Sequence, residues 1–276
     1  MITNLKRRFS AFAAILTLIT VVFCTAAYAA AQEDCAYLAL RLPETDADPY
    51  SEDCPMGSFC ADALRSRTGA DIAIVPGGAV KGSLPQGALV PEDVADCYMP
   101  DGSAVCAAAE CSPQELGAFL EELFEHIVID YATETIDREA SAFGGFPNIS
   151  GMSIVYDASA QPGERVVSIT LDDGTELDTN DTQTVLTLVS DEAYLSGEYT
   201  KERFEAQLLP ETCPELVYGY ISECGRELQM LDWDRVRAIG ANDNKLISAV
   251  PVSTLLIAAG ALMAILFVFR RKLEPR

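Results

Sequence analysis

Few residues in this chain have the type and spacing to do chemistry. The stretch Ala70–Val90, ADIAIVPGGAVKGSLPQGALV, carries an apolar strand over Asp71–Val75 into a glycine pair, Gly77-Gly78, and then a lone lysine, Lys81. Glycine lets backbone come close to a ligand or make a tight turn, and the sequence leaves both uses open. His126 is the single histidine. It stands beside Glu125 with no nucleophile motif near it, so a helix-surface role outweighs that of a general base. Asp172, Asp173, Glu176, Asp178 and Asp181 lack the spacing of a calcium loop and read as a solvated turn.

Beyond residue 30 the cysteines are 35, 54, 60, 97, 106, 111, 213 and 224, an even number with no Cys-x-x-Cys pair. In an exported chain that points to disulfides rather than a zinc ribbon or redox motif. Connectivity is not fixed by sequence. Cys97 with Cys106, and Cys213 with Cys224, are each separated by a stretch able to close a small loop.

The elements that must position these residues alternate in type. Ser51–Arg67 has apolar positions at helical spacing, and Pro91–Tyr98 reads as a short helix. Ala104–Ala109 reads as a buried strand. Ser112-Pro113-Gln114-Glu115 is an N-cap signal opening a helix to about Ala132, with Leu116, Phe119, Leu120, Leu123, Phe124 and Ile127 as a core stripe. From Gly151 the period becomes two, with strands near Met152–Tyr156, Arg165–Leu171 and Thr184–Val189 and a turn at Asp172-Asp173-Gly174. This is α+β, a mixed β-sheet packed with helices. Residues 205–246 read as an extension or stalk.

Both ends look like targeting segments. Residues 1–29 combine Lys6, Arg7 and Arg8, an apolar run and Ala27-Tyr28-Ala29, the pattern of a signal peptide. Residues 247–269 form an uncharged 23-residue stretch followed by Arg270, Arg271 and Lys272. That length spans a hydrocarbon core of roughly 30 Å. The cations place the 270–276 tail in the cytoplasm and the preceding domain outside it, as a single-pass membrane protein with one C-terminal transmembrane helix. Residues 30–269 hold 12 basic against 41 acidic side chains, a net charge of −29. Such a surface repels nucleic acid.

Seven segments in order carry a resemblance: EDCPMGSFCADALR, ADIAIVPGGAVKG, GALVPEDVADCYMPDGS, ELGAFLEEL, GGFPNISGMSIVYD, PGERVVSITLDDGTELD and EAYLSGEY. Together, over about residues 51–204, they resemble the C-terminal, substrate-binding domain of the 5'-nucleotidase family. The resemblance implies a nucleoside or nucleotide ligand approached by Gly77 and Gly78. Lys81 stands where the family has a loop arginine, and offers a point charge instead of a bidentate fork. Asp101 falls at the position of a base-stacking aromatic, and Ser103 near the asparagine that follows it. Phe146 matches the aromatic of a glycine-flanked motif, Tyr194 the second stacking aromatic, and Gly197-Glu198-Tyr199 a shortened glycine-rich closing loop. The family's chemistry resides in a separate N-terminal metallophosphatase domain with two metals. The resemblance therefore implies an accessory binding module that is not catalytic alone, needs no cofactor of its own, and works with a separately encoded metallophosphatase. The competing expectation is a non-catalytic cell-surface interaction domain that keeps only the fold.

Overall fold

The computed structural model describes residues 36–42, 50–98, 104–201, 203–228 and 233–241. The expected signal peptide, transmembrane helix and cytoplasmic tail, together with Asp101 and Ser103, lie outside the described residues. Among the described residues no helix is long and apolar enough to cross a membrane.

The chain is α+β with a mixed sheet. Strand β1 (Ala36–Leu38) pairs antiparallel with β3 (Gly87–Leu89). Between them lie helix α1 (Pro55–Thr68), strand β2 (Ile72–Pro76) and a 3-10 turn at Gly77–Ala79. Then come α2 (Pro91–Cys97), β4 (Val105–Cys111) and α3 (Pro113–Phe124). A two-stranded hairpin, β5 (Ile129–Asp130) and β6 (Thr135–Ile136), leads through α4 (Arg138–Ser141) to β7 (Pro147–Ser150), β8 (Met152–Asp157) and β9 (Val166–Leu171). β10 (Leu186–Asp191), α5 (Glu192–Leu195), β11 (Gln207–Thr212), α6 (Cys213–Cys224) and β12 (Val236–Ile239) complete the order.

The central sheet has five strands in the order β11-β4-β10-β2-β7. β10 and β2 are parallel; the other neighbours are antiparallel. A smaller sheet, β12-β8-β9, joins β12 parallel to β8. Because side chains alternate along a strand, β2 feeds two cores. Ala73 and Val75 face α1, α6 and the β1–β3 pair, whereas Ile72 and Ile74 face α3 and the small sheet. Every residue of β2 is buried, which explains its unbroken apolar run.

Helix boundaries follow their caps. α1 opens on Cys54, whose Sγ accepts from the Gly57 amide, and closes at Gly69 with φ 71°. α3 has the expected Ser112–Glu115 capping box. It stops at Phe124, short of Ala132, because a buried arginine ends it. Arg165 reaches the carbonyl oxygens of Phe124 and Ile127, the latter at 2.8 Å. It thus adds side-chain donors at the end of α3 and in the turn after it.

Residues 205–246 are not a stalk as far as they are described. β11 forms an edge of the central sheet, α6 packs on α1, α2 and β1, and β12 extends the small sheet. The fold also begins before residue 51, at β1. Cys97, Cys106, Cys213 and Cys224 stand as thiols in this structure. The Cys97 thiol donates to Ser83 O and the Cys224 thiol to Tyr220 O, while the sulfur facing Cys213 is that of Cys106.

Candidate functional site

The parallel strands β2 and β10 end side by side, and both connections leave from that end. In sheets of this kind the crevice beyond the carboxyl ends of parallel strands is the common place for a ligand. β2 runs into Gly77-Gly78. β10 runs into Asp191, which caps α5 by accepting from the Ala193 amide at 2.9 Å. The chain then returns through Gly197, Glu198 and Tyr199.

The glycine pair holds backbone. The Gly77 amide donates to Phe146 O at 2.8 Å and the Gly78 amide to Gly144 O at 2.7 Å. A Cβ on Gly78 would lie 3.0 Å from Gly144 O and 3.2 Å from Gly144 Cα. Both amides are thereby committed to the 144–146 segment. Lys81 is exposed, its backbone amide tied to Cys97 O at 2.9 Å.

That same 144–146 segment carries an aromatic wall. The half-buried ring of Tyr199 lies over it: a Cβ on Gly144 would come within 3.4 Å of Tyr199 Cε1, and one on Gly145 within 2.8 Å of Tyr199 Cγ. The close fit requires glycine at 145, while at 144 a Cβ would make ordinary contact with the ring. Phe143 meets Tyr199 edge-on at 5.5 Å between centroids, and His126 stacks on Phe143 at 3.8 Å and 18°. Tyr50, 42 % exposed, borders the wall, its carbonyl accepting from the Phe143 amide at 2.8 Å. Burial pushes the Tyr199 phenol up, helped by the negative charges of Glu198 and Asp191.

Two expected ligand residues are core residues instead. Tyr194 is wholly buried, its hydroxyl donating to Gly145 O at 2.7 Å and its ring edge-on to Phe119. Phe146 is buried against Phe124. Neither exposes a ring face, whereas the Tyr199 ring is only half-buried. Glu198 is exposed beside it.

Asp191 was not singled out by the sequence, although an Asp before a short helical segment is a recognisable cap. Its residue is buried, and Oδ2 has no hydrogen-bond partner. Burial is the main cause that pushes its carboxyl up to about 6, with Glu198 and Glu192 adding and the Ala193 and Tyr194 amides opposing. Among the described residues no three His, Cys, Asp or Glu side chains gather as they would around a metal ion.

The fold has known counterparts. It is similar to the 5'-nucleotidase precursor of Thermus thermophilus, with TM-score 0.59, 17 % identity, and 81 % of this chain covering 42 % of that one. It is similar to the NAD nucleotidase of Haemophilus influenzae at TM-score 0.54 and 11 % identity, with 79 % of this chain covering 40 % of that one. The sulfate thiohydrolase of Thermus thermophilus, crystallised with glycerol, gives 0.54 and 16 %, with 80 % of this chain covering 38 % of that one. This chain thus spans about two-fifths of each of those proteins. No curated protein sequence matches it. The family model described as "5'-nucleotidase, C-terminal domain" matches residues 39–189. With more than half of its length matched, and with the sheet order and helix layers now in view, the chain belongs to the 5'-nucleotidase C-terminal domain family.

Proposed function

We propose that this protein is an accessory nucleoside- or nucleotide-binding module, held on the outer side of a membrane by its C-terminal segment. In this reading it serves nucleotide catabolism beside a separately encoded metallophosphatase and does not hydrolyse nucleotides itself. The observation that carries the reading is Tyr199, a half-buried ring seated on Gly144 and Gly145 at the carboxyl ends of β2 and β10. Phe143, His126 and Tyr50 extend an aromatic surface beside it. An aromatic face accepts any nucleobase and contributes about 1–3 kcal/mol per stacked base. Without the glycine amides to hold a phosphate, affinity is expected in the millimolar range, which corresponds to about 4 kcal/mol.

The test is calorimetric or NMR titration of the full-length protein in detergent with adenosine and AMP. Saturable binding that weakens on Tyr199→Ala supports the module. Absence of any saturable binding by either compound favours instead a cell-surface interaction domain that keeps only the fold.

A further inference from the structure

Among the buried nucleophilic groups, two stand apart from the aromatic site. Cys106 lies on β4 and Cys213 opens α6, 107 positions further along the chain. Both side chains are wholly inaccessible, and both belong to the core between the central sheet and helices α1 and α6. Backbone pairing brings them close: Thr212 is opposite Val105, the Cys213 amide donates to Ala104 O at 3.0 Å, and each cysteine is the next residue after that pair, diagonally across it. Their thiols are in hydrogen-bonding contact, with the Tyr98 hydroxyl against Cys213 as well. Four of the other sulfurs are engaged elsewhere, and Cys60 lies near Cys54 and Cys97. Cys97 faces Ser83 O, Cys224 faces Tyr220 O, Cys54 caps α1, and Cys111 belongs to the opposite core.

We propose that Cys106 and Cys213 are joined by a disulfide in the mature protein, a cross-link between the central sheet and the first turn of α6. Two thiols already in contact, buried in one core on neighbouring paired elements, are placed to form that bond. The inference does not rest on nucleotide binding, because neither cysteine touches the Tyr199 surface.

The oxidant is a disulfide-bearing compound or protein acting while the chain folds, before the pair is sealed from solvent. The thiolate of one cysteine attacks a sulfur of the donor's disulfide, forming a mixed disulfide and releasing one donor thiol. The second cysteine's thiolate attacks the protein sulfur of that mixed disulfide, forming the Cys106–Cys213 bond and releasing the second donor thiol. Two protein thiols lose two electrons, and one donor disulfide gains them with the two protons.

The test is refolding of the reduced full-length protein in detergent with a mixture of oxidised and reduced glutathione, followed by alkylation, digestion without reductant, and mass spectrometry. The expected result is a peptide pair linking Cys106 to Cys213 that persists in Cys97→Ser/Cys224→Ser protein. Closing a loop of roughly a hundred residues should also raise the thermal midpoint of the oxidised form above the reduced one by about 5–15 °C. That difference should vanish in Cys106→Ala/Cys213→Ala protein. Recovery of Cys106 and Cys213 both alkylated, or each linked to a different cysteine, would overturn the proposal.

Discussion

Asn148 fills the space beside Gly57 that a side chain there would need: a Cβ on Gly57 would lie 2.2 Å from Asn148 Cγ. The amide of Asn148 uses that closeness. Its Oδ1 accepts from the Cys54 amide at 2.8 Å and its Nδ2 donates to Val75 O at 3.3 Å. One buried side chain on β7 thus ties the start of α1 to the end of β2, beside the glycine turn. Gly57→Ala should destabilise the fold by about 1–3 kcal/mol through overpacking. Asn148→Ala should cost about 1–3 kcal/mol by leaving the Cys54 amide unsatisfied. In urea melts the double variant should lose less than the sum, since the second change makes room for the first.

Tyr199 and Tyr194 should separate cleanly. Tyr199→Ala is expected to weaken adenosine binding by roughly five-fold or more, the effect of about 1 kcal/mol or above from a lost stacking face. Tyr194→Phe should leave binding unchanged and lower stability by about 1 kcal/mol, the worth of its hydroxyl's bond to Gly145 O. Titration and denaturation on the same two variants check both statements, and equal effects on binding would contradict the assignment.

Asp191 makes stability depend on pH. Its carboxyl titrates at about 6 in the fold against an ordinary 3.8. Between those values the folded chain holds a proton that the unfolded chain has released. Stability from this group is therefore fully present below about pH 4, falls as pH rises through about 6, and then levels off. Asp191→Asn keeps a capping side chain and removes the titration. The variant should be more stable than the parent by about 2–3 kcal/mol at pH 7.5, and nearly equal to it at pH 4. A difference independent of pH would exclude this role for Asp191.

Nucleotide hydrolysis is not expected from the full-length protein alone. Two-metal hydrolysis needs cations roughly 3.5–4 Å apart with ligands that leave room for the attacking water. The single histidine is stacked on Phe143. Phosphate release should stay at background with AMP or bis-p-nitrophenyl phosphate in manganese, cobalt, zinc or magnesium. Turnover that copurifies with the protein and is lost on His126→Ala would reverse this expectation.

Protease added to intact cells should remove residues 30–245 while a tag placed after Arg276 survives, as the Arg270-Arg271-Lys272 cluster dictates. A protected 30–245 segment would contradict the orientation.

The elements most legible in the sequence were those with local signals. Ser112 and Glu115 announce α3 by a reciprocal cap, and the period-two run from Met152 announces β8 and β9. The length of α3 was not legible, since Arg165 ends it from 41 residues away in the chain. α6 also carries a local signal: Thr212 and Glu215 form a capping box, with Pro214 in the first turn, ahead of the buried stripe Leu216, Val217 and Ile221. Segments of β11 and β12 read as irregular because Leu208 and Ile239 are exposed and the strands are held by pairing with distant partners. At the site, the family pattern pointed to the loops around Gly77-Gly78 and Tyr194–Tyr199. It could not rank Tyr194 against Tyr199, because both are aromatic in one short segment and only tertiary packing separates the buried one from the half-buried one.

The two ends of the described fold clasp each other. The Ala39 amide donates to Gly225 O at 2.8 Å, and the Arg235 amide donates to Asp53 Oδ2 at 2.7 Å. Arg235 also grips both carboxylate oxygens of Asp62, at 2.7 and 2.9 Å. In the middle of the sheet, Ser190 bonds Ile74 O from 116 residues away. A chain emerging from a ribosome or a secretion pore cannot complete these contacts until its last strand is out. Folding should accordingly be a late, slow event of high contact order, in which the amino-terminal half waits with unpaired strand edges for residues 205–239 to arrive.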